Sequence, residues 1–313
     1  MIGNIGQFWR LTRELDIAAL RADFERSATL RVLGSNLAAA EQVARLIDPR
    51  PELGAIELGV LGVDQAPPAD VYVAAITDGN ELDQAARRAL TELSLEDRPL
   101  LVVRLEGGSN VVVLGLPEER VLDLAPGAKA GEKRDRLLAA LVRTAPEAML
   151  PLGRRNPVLR ESVARHLIRD TARANAQFAA LSSLPANVPL LGGVVGDMAD
   201  VLVLTKNQVL LIFKLAGLYG RDLALGRQLL LEVLPVVGGA FFWRSTARAL
   251  VGLLPSALGL LPKTLVAYSG TYVVGEMARY YYEHGRRPPK DQVRQLQAEG
   301  VRLAQAVLGR LRH

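Results

Sequence analysis

The sequence predicts two units, an α/β doubly wound domain over residues 1–147 and an all-α hydrophobic domain over 148–313. Three observations carry this. In the first half, short and nearly continuous apolar runs alternate with amphipathic stretches, the pattern of a mostly parallel sheet covered on both faces. The charge changes sign along the chain: residues 1–147 hold 17 basic and 23 acidic side chains, the remainder 21 and 10. Past residue 185 the composition shifts to long apolar stretches broken by Pro189, Pro235, Pro255 and Pro262.

Element by element, Phe8, Leu11, Leu15 and Ala18 fall at helical spacing and predict an amphipathic helix over 8–26. Strands are expected over 28–33, 55–60, 71–76, 100–105, 111–114 and 121–124. Helices are expected over 36–47, 82–93 and 133–142. Residues 146–157, rich in Pro and Arg, read as a joint between the units. A helix follows over 159–181, carrying Arg160, Arg165, Arg169 and Arg173 among apolar positions. After Arg286-Arg287-Pro288-Pro289 comes a terminal amphipathic helix with Val293, Leu296, Val301, Ala304, Leu308 and Leu311 on one side.

Composition excludes several chemistries. The chain has no cysteine, so disulfides and thiolate metal sites are ruled out. His166, His284 and His313 are too scattered for a histidine metal cage or a histidine-based triad. No metal site, cofactor or catalytic residue is expected. The first residues lack the basic start and apolar core of a signal peptide. Basic motifs interleaved with aromatics are missing, and nucleic acid is not an expected partner.

A strand leading through glycine into a helix is where a phosphate-binding loop belongs. Here the strand over 28–33 runs into Gly34, Ser35 and Asn36, a weak, degenerate version of such a loop. On the phosphate-loop pattern the second glycine becomes Ala39, the phosphate-neutralising lysine Ala40, and the magnesium-holding hydroxyl Glu41. Where a guanine-reading motif would stand, the chain reads Arg104-Leu105-Glu106-Gly107. Asp78 follows a strand and is either a functional carboxylate or a helix cap. The first domain therefore reads as P-loop GTPase-like but degenerate, with its nucleotide motifs lost.

In the apolar half, Asp200, Asn207 and Lys214 recur every seven residues, with Asp197 and Gln208 beside them. Such a polar seam on an apolar helix is either a buried structural network or a functional lining. Residues 250–275 hold a single charge, Lys263, and are long enough to span a bilayer. With Pro255 and Pro262 inside, a re-entrant hairpin or a buried core helix competes with a span. Trp243-Arg244 and Tyr280-Tyr281-Tyr282 before Arg286-Arg287 have the make-up of aromatic belts with basic anchors. Together with Arg154 and Arg155 they are the expected contacts to an anionic membrane.

Residues 185–285 resemble the bacterial domain of unknown function 697. The resemblance rests on Leu190-Leu191-Gly192-Gly193, on Leu204-Thr205-Lys206-Asn207-Gln208, on the run from Lys214 to Gly220, and on Trp243 to Arg248. That family occurs in inner-membrane proteins and behind small GTP-binding domains, which implies a membrane-linked helical domain regulated by a GTPase-like one. The leading expectation is a non-enzymatic scaffold or regulator on the cytoplasmic side of the cell membrane, with an anionic membrane surface and an unidentified protein as partners. Three alternatives stay open: a GTP-binding regulator with a nonstandard loop, a homo-oligomeric pore lined by the seam, and a cytoplasmic protein whose apolar helices form one core.

Overall fold

The computed structural model of the protein describes residues 15–49, 56–63, 68–77, 82–96, 98–105, 116–182, 197–237 and 261–311. The strand expected over 111–114, the helix before residue 15, and residues 250–260 lie outside these, as do Asp78, Trp243 and Arg244.

In chain order the elements are α1 (Ile17–Glu25), β1 (Leu30–Gly34), α2 (Leu37–Ile47), β2 (Ile56–Val60), β3 (Val71–Ile76), α3 (Gln84–Leu95), β4 (Leu100–Arg104) and β5 (Val121–Asp123). Then come α4 (Ala130–Thr144), α5 (Pro146–Arg155), α6 (Pro157–Leu181), α7 (Asp197–Leu218), α8 (Arg227–Val237), α9 (Leu261–His284) and α10 (Lys290–Leu311). The described residues thus form an α/β part with a parallel sheet and a helical part.

The sheet has five parallel strands in the order β2-β1-β3-β4-β5. Position explains composition. The central strands β1 and β3 are buried throughout and β4 nearly so, which is why they read as unbroken apolar runs. Edge strand β2 exposes Glu57 and Leu58. Leu33, Tyr72, Ala74, Ile76, Leu100 and Val102 share one face of the sheet and pack against Ala86 and Leu90 of α3. The crossover through α2 runs to one side of β1, while that through α3 runs from β3 away from β1. Right-handed connections then put α2 and α3 on opposite faces. The point where the order reverses, between β1 and β3, is a topological switch point.

The stretch expected as a joint is instead helical. Pro146 stands at the start of α5, where a missing N–H costs nothing. Pro151 lies inside the helix and cannot donate back to Glu147, whose carbonyl takes a bond from Arg26 at 3.5 Å. Ala148, Met149, Leu150 and Leu152 are buried. Asn156 donates to Asp48 at 3.3 Å with both side chains buried. These contacts tie α5 to the α/β part. Residues 23–166 form one compact unit, and the boundary falls inside α6 instead of at 147.

In the other unit α9 is the central helix, packed against α7, α8 and α10. It is buried at Leu265, Tyr268, Tyr272, Val273, Val274 and Ala278. Gly275 admits α6: a Cβ there would lie 2.7 Å from Ile168 Cγ1. The part of the 250–275 stretch that is described, from Leu261 on, is therefore a core helix of this unit. No helix among the described residues is long and apolar enough to cross a membrane.

Candidate functional site

The turn from β1 into α2 opens at the switch point, on the carboxyl edge of the sheet. Its geometry follows from backbone fit. The Gly34 carbonyl accepts from Leu61 N at 2.9 Å, and Ser35 N donates to Ala75 O at 2.8 Å, so the turn is pinned to both neighbouring segments. A Cβ on Gly34 would stand 2.1 Å from Asn36 O and 2.6 Å from Ala40 N, distances that only glycine permits. Asn36 caps α2, its Oδ1 accepting from Ala39 N at 2.9 Å. Ser35 Oγ lies 3.1 Å from Thr77 Oγ1, joining the ends of β1 and β3.

Chemically this site is poor. Ala39 and Ala40 are packed out of solvent at 1% and 0% exposure. Glu41 is half-buried and paired with Arg45 at 3.4 Å, a surface ion pair of little energy. Arg104, beyond which a base-reading motif was sought, is paired with Asp123 across the β4–β5 register. What remains for an anion is the amino end of α2, worth about 0.3–1 kcal/mol. No cluster of three His, Asp or Glu side chains is placed to hold a metal among the described residues.

The seam of the helical unit is partly assembled. Asn207 donates to Asn175 Oδ1 at 2.7 Å, Asn175 donates to Thr271 Oγ1 at 2.8 Å, and Gln208 donates to the same oxygen at 3.1 Å. Asn175 and Thr271 are fully buried. This network joins α6, α7 and α9 and was only half legible, because Asn175 and Thr271 lie on other helices. Lys214 is half-buried on α7 and does not enter it. The side chains of Asp197 and Asp200 lie outside the described residues.

The expected membrane contacts separate. Arg286 and Arg287 are exposed. Arg154 instead sits over the Phe24 ring, 5.8 Å from its centroid, and Arg155 bonds Glu25 O and Ser27 Oγ at 3.4 and 3.5 Å. Tyr280 and Tyr282 are buried, so these two pack inward and do not form a belt. Consecutive helix positions point about 100° apart, and three tyrosines in a row cannot share a face. Tyr280 stacks on His284 with centroids 4.1 Å apart. Tyr281 donates to Glu232 at 2.8 Å, and Glu232 also pairs with Arg221 at 3.2 Å. Burial, then Glu232, holds both the Tyr281 and Tyr282 hydroxyls above the usual phenol range. The Tyr282 hydroxyl is buried and has no hydrogen-bond partner among the described residues.

A second group of ionisable side chains gathers where α6, α9 and α10 meet, and only Arg169 and Arg173 of it stand out in the sequence. Arg169 and Arg173 of α6 act electrostatically on the buried Tyr268, and Arg169 acts also on Tyr272, which feels Glu299 of α10 as well. Burial outweighs the arginines and pushes the Tyr268 hydroxyl up. Tyr272 is raised by burial and by Glu276 and Glu299. Glu276 is held by Arg279 at 2.8 Å. No family model matches this chain, and neither a curated protein nor a solved structure matches it significantly.

Proposed function

We propose that the protein is a non-enzymatic membrane-associated adaptor. Its α/β unit is a degenerate P-loop GTPase-like domain that binds a protein partner, and its helical unit docks on the anionic cytoplasmic face of the cell membrane. One observation supports this reading: at the switch point a glycine turn leads from a strand into a helix, the place of a phosphate loop, and the positions of its second glycine, lysine and hydroxyl hold buried Ala39, buried Ala40 and Glu41. Phosphate-binding proteins are built on such a frame, which supports the GTPase-like descent of the unit. Retained architecture without reactive groups suits a domain that is recognised by a partner.

The membrane half of the proposal is supported by the excess of basic over acidic residues after 147 and by the resemblance of 185–285 to domain of unknown function 697. Among the described residues no helix is long and apolar enough to span, and the proposal is confined to a surface contact. A pore lined by the seam finds less support, since Asn207 is spent on Asn175.

Two titrations test it. Labelled GTP and ATP should show no magnesium-dependent binding to the full chain; micromolar affinity would replace the adaptor with a nucleotide-binding regulator. Anionic vesicles should sediment the protein at low salt and release it at high salt, because exposed charge is screened over about 8 Å at physiological ionic strength. Absence of sedimentation by well-folded protein would remove the membrane from the proposal.

A further inference from the structure

Two contacts fix how α6 passes α9. Ile168 meets Gly275, and Asn175 bonds Thr271 at 2.8 Å, so the helices run in opposite directions. Between those anchors, on the adjoining exposed strip of α6, stand Arg169 and Arg173. They are four residues apart and face the same way, about 5–6 Å between Cβ atoms. The antiparallel run brings them alongside Tyr272 and Tyr268, both buried to within 3% of full cover.

The two cations differ from their neighbours. Arg165, one turn earlier, is held by Glu161 at 2.5 Å, and Arg279 by Glu276 and Glu283 at 2.8 and 2.7 Å. Neither Arg169 nor Arg173 makes an ion pair among the described residues. The nearby carboxylate is Glu299, half-buried on α10, which acts electrostatically on both tyrosines and, among the described residues, makes no ion pair with either arginine. The Tyr268 hydroxyl has no hydrogen-bond partner among the described residues, and burial keeps it protonated as a donor.

We propose that Arg169, Arg173 and the Tyr268 hydroxyl form a site for a phosphate oxyanion, filled at the membrane by the phosphate of an anionic lipid headgroup. It rests on the membrane reading above and gives that reading a specific point of contact. Two guanidinium forks one turn apart suit a group with several outward oxygens, and the phenol supplies a third donor.

The test uses the full chain, phosphatidylcholine vesicles with and without phosphatidic acid, and inorganic phosphate in solution. Arg169→Gln and Arg173→Gln should each weaken binding to phosphatidic acid vesicles about tenfold, the weight of one charge-assisted hydrogen bond. Arg165→Gln makes the same charge change on the same helix and should cost about twofold or less if general attraction alone is lost. Tyr268→Phe keeps the ring and should weaken binding severalfold with unchanged circular dichroism. Equal losses from all three arginine variants would overturn the site while leaving a diffuse membrane contact standing. Inorganic phosphate binding that needs Arg169 and Arg173, without vesicle binding, would overturn lipid as the occupant and the membrane reading with it. If wild-type protein binds neither phosphate nor vesicles, both proposals fall.

Discussion

Asn175→Ala should be the most damaging polar truncation in the helical unit. Asn175 is fully buried and works in both directions, accepting from Asn207 at 2.7 Å and donating to Thr271 at 2.8 Å. Each such bond contributes about 1 kcal/mol net. Thr271 keeps a donor in Gln208, and half-buried Asn207 can turn to water, so little is added for stranded partners. The void left by the amide adds about 1 kcal/mol more. The total is about 3 kcal/mol, or a fall of about 6–12 °C in the melting temperature of a unit this size. Hydrogen exchange localises the effect: protection should fall across α6, α7 and α9 and hold in residues 23–166. In a double-mutant cycle with Thr271→Val the pair should couple by about 1 kcal/mol. A loss below about 1 kcal/mol, or one spread evenly over both units, would refute the view that this network holds the three helices together.

Three other outcomes follow from the packing. Gly34→Ala forces a methyl against backbone at 2.1 and 2.6 Å and should destabilise the α/β unit by about 2–4 kcal/mol in urea; a cost under 1 would mean the turn has room. Gly275→Ala meets Cγ1 and Cγ2 of Ile168 at 2.7 and 3.0 Å and should cost about 1–3 kcal/mol, most of which should vanish in an Ile168→Ala background that lacks both carbons; an undiminished cost there would place the clash elsewhere. Burial raises the Tyr268, Tyr272, Tyr281 and Tyr282 hydroxyls above the ordinary phenol value of about 10. The unfolded chain then releases protons first, so helical-unit stability is flat below pH 10 and falls as pH rises beyond it. Urea midpoints at neutral and alkaline pH should show that fall, reduced in Tyr282→Phe; a pH-independent midpoint would contradict the burial of these phenols.

The sheet was the most legible part of the chain. β3 starts and ends where its apolar run does, and β1 and β4 lie within two residues of expectation, because a strand covered on both faces is a nearly unbroken apolar run; edge strand β2, with Glu57 exposed, also begins within one residue of expectation. Helix starts were harder. α3 begins two residues later than periodicity placed it, since Asp83 caps it and Leu82 stands before the cap. α5 was missed altogether: Pro146 and Pro151 read as breakers, although one occupies a harmless first position and the carbonyl freed by the other meets Arg26. Whether a proline breaks a helix depends on what takes the orphaned carbonyl, and that partner came from α1's end of the chain.

The apolar half shows why hydropathy alone left three readings of 250–275 open. Apolar residues on a helix report that water is excluded, and lipid or packed protein excludes it equally well. What separates the two is the fit of side chains that lipid does not require. Gly275 is shaped to Ile168, and Thr271 accepts two donors from helices distant in sequence, one of them 96 residues away. A helix facing lipid has no use for an acceptor that receives two amide donors, since each would otherwise be desolvated at a cost of about 1–3 kcal/mol. The polar residues of α7 and α9 therefore carry more information about their surroundings than the leucines between them. Asn207 could be picked out by its seven-residue spacing, whereas Asn175 sits among alanines with no periodic signal and acquires meaning only once Thr271 is brought beside it.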